Sequence, residues 1–396
     1  MDVTSTSTKD SASGDRQPDC HEPCLRLDAA NRCSPGNRLR LMSSGKEYVP
    51  AMLASIEGAC SSVDLEMYRI DPGLMWASFL AALTNAATRG VSVRLLVDSF
   101  GSRGMTSRHW QAIGRTGIRF RQSPSVVRTV LTRLSTRRDH RKLMVVDAET
   151  AFTGGMGIDD RFFKPRAEPE WRESMVQVNG KVVAAMQEAF AEAWSGVGPR
   201  ECERDAAPAP LKIDGMANAR LILSTPFQPR GEALFLSAIL GAQTSVFITN
   251  PFVIPSARIS VALTKAARSG IDVRLIVPGR HNRFAWTRDA MRGFYTPFMR
   301  AGVKLFEYEA AMLHAKTIVV DDRWAAVGSF NLDAQSLVFN DEIAVAACDG
   351  GLAREVAAGF DDDCANARAI RLESWQNRGL VARAREGAAS LLRGLL

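Results

Sequence analysis

The apolar positions of the chain follow two rhythms. Val49, Met52, Leu53 and Ile56 recur at helical spacing, and the run Val63 to Tyr68 then has the density of a buried strand. A second helical stretch over about 73–89 stops at Gly90 and gives way to the strand-like VSVRLLVD at 91–98. Much later the order returns: 245–252 predicts a strand, 257–269 a helix, and Gly270 introduces IDVRLIVP at 271–278. Alternating strands and helices predict an α/β fold with a mixed sheet flanked by helices.

The two passages also match residue by residue. RGVSVRLLVD at 89–98 aligns with SGIDVRLIVP at 269–278, an offset of 180 residues. Solenoid repeats have periods of roughly 20–50 residues, so this period predicts two copies of one α/β unit about a pseudo-two-fold axis. Residues 1–36 are polar and turn-rich and read as a disordered leader. A Pro-, Ala- and charge-rich linker at 197–210 divides an N-terminal domain, 37–204, from a C-terminal one, 205–372. Leu380, Ala384, Ala388, Leu391 and Leu395 recur at helical spacing among arginines, so 373–396 reads as a C-terminal amphipathic helix.

Each half carries one His-x-Lys-x4-Asp element: His140, Lys142 and Asp147 in HRKLMVVD, and His314, Lys316 and Asp321 in HAKTIVVD. With only five histidines in the chain, two such matches inside a duplicated frame mark a catalytic set. Alternate residues of a strand share a face, so His and Lys of each motif point together. The aspartates have the opposite parity and read as strand-end residues with a structural role. A hairpin turning at 321–323 is expected to set Ser329 across from His314, with Asn331 on the same face. Lys142, Lys316, Ser329 and Asn331 would then bind a phosphate group, the lysines by charge and the others by hydrogen bonds. One imidazole attacks phosphorus to give a phosphohistidine, while the other serves as general acid and base. Glu173 and Glu342 are the carboxylates available to hold the reactive tautomers.

Composition then narrows the partners. The chain has 396 residues, 46% hydrophobic and 23% charged, the make-up of a globular protein with a sizeable core. A net charge of +7 favours an anionic partner, nucleic acid or anionic lipid. From Arg115 to Lys142, nine basic residues face one acid, Asp139, with aliphatic residues between them, which suits a lipid surface. Aromatics make up 7% of the chain and are sparse in that run, so no nucleic-acid partner is expected. No apolar stretch reaches the roughly 18 residues that would cross a bilayer, and the N-terminus lacks the order of a signal peptide. A peripheral location at the cytoplasmic face of the membrane is the expectation. Seven scattered cysteines fit a reducing compartment, and Cys20, His21, Cys24 and Cys33 lack the paired spacing of a zinc site. No metal or other cofactor is called for.

Taken with FTGGMGIDDRF at 152–162, EWRES at 170–174, NPFVIP at 250–255, and GSFNLDAQS followed by FNDE ending at Glu342, the motifs resemble the phospholipase D superfamily, and within it the bacterial cardiolipin synthases. The resemblance covers about 40–380. It implies two phospholipase D-like domains with one active site at their interface, His140 as nucleophile and His314 as general acid/base. It also implies that Glu342, eleven residues past Asn331, orients a catalytic histidine. The expected activity is phosphatidyl transfer, with cardiolipin formation from phosphatidylglycerol as the leading instance and hydrolysis to phosphatidic acid as the alternative. A nuclease or a non-catalytic membrane-binding protein are more distant readings. Two positions depart from the family pattern: Gly157 stands where many members carry Asn, and Gln335 where cardiolipin synthases commonly carry Arg.

Overall fold

The computed structural model describes residues 33–123, 137–163, 169–197, 216–348 and 350–379. The first half supplies strands β1 (Ser34–Met42), β2 (Ser62–Met67), β3 (Ser92–Val97), β4 (Arg119–Gln122), β5 (Lys142–Val146), β6 (Thr150–Gly154) and β7 (Met175–Gly180). The second supplies β8 (Ala217–Ser224), β9 (Ser245–Thr249), β10 (Asp272–Pro278), β11 (Lys304–Tyr308), β12 (Thr317–Val320), β13 (Trp324–Gly328), β14 (Glu342–Ala347) and β15 (Ala367–Ile370).

All fifteen strands form one sheet, in the order β15-β11-β10-β9-β12-β13-β14-β8-β1-β7-β6-β5-β2-β3-β4. Apart from β15, the order reads the same from both ends once β1 is matched to β8, β2 to β9 and so on. The pseudo-two-fold therefore passes between β1 and β8, which pair antiparallel. Each half keeps a parallel outer part, β2-β3-β4 and β9-β10-β11, as crossover helices require. The duplication predicted from the matching strands is present, and the two halves join edge to edge in one continuous mixed sheet.

The core has three main layers of contact. Helices Gly45–Glu57 and Leu74–Thr88 cover the first half, and Gly231–Gly241 and Ala257–Arg268 cover the second. The opposite face carries a common core in which Leu143, Val145 and Val178 pack with Val319, Val327 and Val345 under helices Val182–Val197 and Gly350–Ala365. Strand alternation explains the division: Leu143 and Val145 enter the common core, while Met144 and Val146 face the first-half core. Lys142 has the parity of Met144 and so emerges on the face where the motif histidines gather.

Several boundaries move. The expected leader extended to residue 36, yet β1 begins at Ser34 in the middle of the sheet. Pro35-Gly36 reads as a turn but acts as an irregularity inside the strand: Gly36 has φ 83°, and the β1–β8 register shifts between Ser34 and Asn37. The remaining leader, residues 1–32, lies outside the described residues, as do 124–136 of the basic run, 198–215 around the linker and 380–396 of the C-terminal segment. Of the expected helix at 373–396, the described part is Leu372–Gln376. Among the described residues no helix is long and apolar enough to cross a membrane.

Candidate active site

His140 lies two residues before β5 and His314 three before β12, on segments too irregular to belong to the ladders. Two isolated parallel bridges between the halves hold them. Asp139 pairs with Asp341, so that the His140 N–H donates to the Asp341 carbonyl at 2.9 Å. Leu313 pairs with Arg172, and the His314 N–H donates to the Arg172 carbonyl at 2.7 Å. In each bridge the residue after the partner is a glutamate, Glu342 in the first case and Glu173 in the second.

The result is a reciprocal exchange of carboxylates. His140 Nδ1–H donates to Glu342 at 2.9 and 3.0 Å, and His314 Nδ1–H to Glu173 at 2.5 Å. Each glutamate is fully buried and comes from the half opposite its histidine. Binding Nδ1–H to a carboxylate leaves the Nε2 lone pair available to the cavity that both rings line. Tyr68 meets the His140 ring at 4.6 Å between centroids, and Phe162 and Trp171 flank His314 at 5.5 and 5.6 Å.

Lys142 and Lys316 are nearly inaccessible, at 2% and 3% exposure. Burial, only partly offset by Glu342, brings the Lys142 ammonium down to about 7. Lys316 is likewise brought down to about 8, against the pull of Glu173 and Glu342. Burial, reinforced by both lysines, holds His140 well below the usual histidine value. It brings His314 to about 3, with Lys316 adding to the effect and Glu173 opposing it. Both imidazoles are thus neutral at neutral pH. The two carboxylates differ. Burial raises Glu342 to about 7, although Lys142 and the hydroxyls of Ser329 and Ser336 oppose it. For Glu173 burial is outweighed by Lys316 and His314, which hold it below the usual carboxylate range. Desolvated ammonium groups beside neutral imidazoles are poised to receive an anion, which would restore the charge balance that burial has disturbed.

The remaining expected site residues divide. Asn331 lines the cavity, and its buried Oδ1 has no hydrogen-bond partner. Ser329 does not face the cavity: its hydroxyl donates to Glu342 and accepts the Ile343 N–H at 3.0 Å. The register corrects its expected place. Val320 pairs with Trp324 across a three-residue turn, so Thr317 meets Val327, and the same register carries Ser329 to Ala315 and not to His314. Ser329 therefore positions Glu342 and does not bind phosphate.

Asp147 and Asp321, the third members of the motifs, stand at the far ends of β5 and β12, about 16 Å from the lysines at strand rise. Asp147 accepts the N–H groups of Cys60, Ser61 and Ser62 at 2.7–2.9 Å, and Asp321 those of Gln243, Thr244 and Ser245 at 2.7–2.9 Å. Placing them in the catalytic set is corrected by this geometry: they clamp the loops entering β2 and β9, as their parity implied.

The two departures from the family pattern have local causes. A Cβ at Gly157 would stand 3.1 Å from both Cβ and the carbonyl of Arg69, whose side chain fills the wall where the counterpart position holds Asn331. Gln335 lines the cavity and donates to Asn340 Oδ1 at 2.7 Å. The cavity, about 380 Å³, has a wall that the sequence did not disclose. Phe100, Phe162, Trp171, Phe252, Phe284 and Trp286 converge on it from four connections, those that follow β3, β6, β9 and β10. Of the cysteine group considered for a metal, Cys20, His21 and Cys24 lie outside the described residues, and Cys33 Sγ lies 3.5 Å from Cys348 Sγ.

Known proteins match this architecture closely. The family described as "Cardiolipin synthase, PLD-like domain" matches residues 52–194 and 235–364, one match in each half. Cardiolipin synthase A of Pectobacterium carotovorum is 31% identical over 359 residues, 87% of this chain and 72% of the relative. Cardiolipin synthase A of Yersinia pestis is 32% identical over 373 residues, 92% of this chain and 76% of the relative. Among solved structures, phosphatidylserine synthase of Haemophilus influenzae shares the fold with a TM-score of 0.66 at 14% identity, covering 90% of this chain and 95% of that one. With both halves matched and the relatives aligned along nearly its whole length, the chain belongs to the cardiolipin synthase family of the phospholipase D superfamily.

Proposed function

We propose that the chain transfers a phosphatidyl group through a phosphohistidine, and that its principal reaction is cardiolipin formation from two phosphatidylglycerol molecules. The observation that carries this reading is the reciprocal pairing of His140 with Glu342 and His314 with Glu173 around one cavity that Lys142 lines, with Lys316 buried beside His314. The names of the relatives supply the substrate class.

The donor phosphodiester binds against Lys142, Lys316 and Asn331. Its negative charge favours imidazolium formation at His314, which the anionic Glu173 stabilises. Nε2 of His140 then bonds to phosphorus as the P–O bond to the head-group alcohol breaks, and His314 delivers its proton to the departing oxygen. In the second half-reaction the acceptor hydroxyl gives its proton back to His314. Its oxygen bonds to phosphorus as the P–N bond to His140 breaks.

The cavity mouth suits work at a membrane surface. Trp286 is 53% exposed on the helix Ala285–Arg292, beside the exposed Phe284, and Val338 and Phe339 are exposed between the lining residues Gln335 and Asn340. Such rings favour the bilayer interface, where an apolar body and a polar surround coexist. Hydrolysis to phosphatidic acid is the second reading. It shares the intermediate and is favoured by the neutral Gln335 in the wall, which offers an anionic acceptor no charge.

The test is incubation of the full chain with phosphatidylglycerol vesicles and, separately, with single-stranded DNA. Release of glycerol with cardiolipin is the expected result. Phosphatidic acid alone would favour the second reading, and cut DNA without lipid turnover would overturn both.

A further inference from the structure

The cavity contains more cationic groups than one phosphate requires, and they are not equivalent. Lys142 lines it beside His140, and Lys316 is buried next to His314, its Nζ 2.9 Å from Nδ1 of that ring. Arg69 and Arg161, in the wall, are held by Asp71 and Asp159, with Arg69 Nε 3.2 Å from Asp159 and Arg161 Nη2 3.3 Å from Asp71. Their charge is already matched. Arg103 and Arg138 differ: both line the cavity, and among the described residues neither has a carboxylate within ion-pair distance.

These two guanidiniums are arranged around one ring. Arg138 lies 4.0 Å and Arg103 5.0 Å from the Phe100 centroid. Packing a guanidinium against a ring holds its plane while leaving its edge N–H groups available for a phosphate or carboxylate. Arg138 Nε is buried and has no hydrogen-bond partner. The platform beneath is braced, because Gly101 N–H donates to Asp98 at 2.7 Å and Ile70 N–H to Ser102 Oγ at 2.9 Å. Tyr68 stands between this pair and the reaction centre: its ring meets His140 at 4.6 Å, and its phenol feels the Arg138 charge.

We propose that Arg103 and Arg138, stacked on Phe100, form a second anion subsite that holds the phosphodiester of the acceptor lipid while its free hydroxyl reaches the phosphohistidine. The inference rests on the phosphatidyl-transfer reading given above. In cardiolipin the two phosphates are separated by a single glycerol, so an acceptor whose hydroxyl attacks at His140 must carry its own phosphate one three-carbon bridge away. The Arg103–Arg138 pair lies beyond Tyr68 on the His140 side, and it offers the charge that Gln335 does not. The subsite selects between outcomes of the common intermediate: an acceptor anchored there competes with water, and a weakly held one loses to it.

The test compares the full chain with Arg103→Gln, Arg138→Gln and the double variant on phosphatidylglycerol vesicles, measuring glycerol, cardiolipin and phosphatidic acid together. A charge-assisted hydrogen bond is worth about tenfold in binding, so the ratio of cardiolipin to phosphatidic acid should fall about tenfold in each single variant and further in the double one. Arg138→Lys should recover part of the ratio. With ethanol as an uncharged acceptor, the ratio of phosphatidylethanol to phosphatidic acid should move by less than about twofold. An unchanged cardiolipin ratio overturns the subsite, as does an equal fall with ethanol. A constant ratio with less glycerol released would assign the arginines to the donor and overturn it too. If the unaltered chain makes only phosphatidic acid, the subsite fails while lipid chemistry stands; if it releases no head group, the transfer reading itself fails.

Discussion

Gly155 lies so close to Glu173 that a Cβ there would stand 2.5 Å from both carboxylate oxygens. Glu173 reaches His314 across the boundary between the halves because position 155 has no side chain. At the counterpart position Ser329 has a side chain, and Glu342 accepts its hydroxyl. Gly155→Ala should therefore displace Glu173 and release the His314 tautomer, lowering kcat by about a hundredfold with a smaller change in KM. Kinetics on phosphatidylglycerol vesicles check this, and near-normal kcat would show that Glu173 does not position His314.

The pH profile should be displaced from that of ordinary side chains. Both imidazoles have folded-state values below the usual one, so a histidine-governed acid limb of kcat/KM should lie below the usual histidine range. Lys142 at about 7 and Lys316 at about 8 lose their charge as pH rises through that range, so the basic limb should fall there and not near 10. Lys142→Arg should move the onset of that limb upward, toward the Lys316 value, at a cost in rate. A profile flat to pH 10 would contradict the lysine assignment.

The two histidines should separate chemically. In His314→Ala the nucleophile remains and the general acid is gone, so a lipid with an aryl leaving group, which departs without protonation, should still label the enzyme. Mass spectrometry of the digest should find the phosphatidyl adduct on His140. An adduct on His314 in the converse variant, and none on His140, would reverse the roles.

Asp321 should matter for folding and little for chemistry. It has φ 54° and accepts three backbone N–H groups, which keep its carboxyl below the usual range even though burial opposes this. That contribution is present above the unfolded value and is lost as pH falls through the folded one. Asp321→Ala should cost about 2 kcal/mol in urea unfolding at pH 7. Less should be lost at acid pH, once the pH has fallen through the folded value. Turnover by the folded fraction should change little; a large fall in kcat with unchanged stability would return Asp321 to the catalytic set.

The α/β class, the duplication and the convergence of His140, Lys142, His314 and Lys316 were legible because strand periodicity and a repeated motif are local patterns. The partnership of each histidine with the distant glutamate was not. It depends on the bridges Asp139–Asp341 and Leu313–Arg172, which join segments 202 and 141 residues apart. The turn at 321–323 was legible, but the register counted from it was one residue off: the hairpin centres on residue 322 and sets Ser329 across from Ala315, and a one-residue shift inverts parity. The aromatic wall escaped notice for another reason: its rings are scattered from Phe100 to Trp286 and become neighbours only when loops of both halves meet.

The exchange of carboxylates means that neither half contains both members of either histidine–glutamate pair. A symmetric pair of identical halves would satisfy both histidines, but every substitution would then occur twice. Joining the halves in one chain removes that constraint. Gly157 and Asn331 occupy counterpart positions, as do Gly155 and Ser329, and each pair has diverged. Covalent linkage lets two imidazoles of common origin adopt different surroundings, and with them the separate duties of nucleophile and proton carrier that we propose for them.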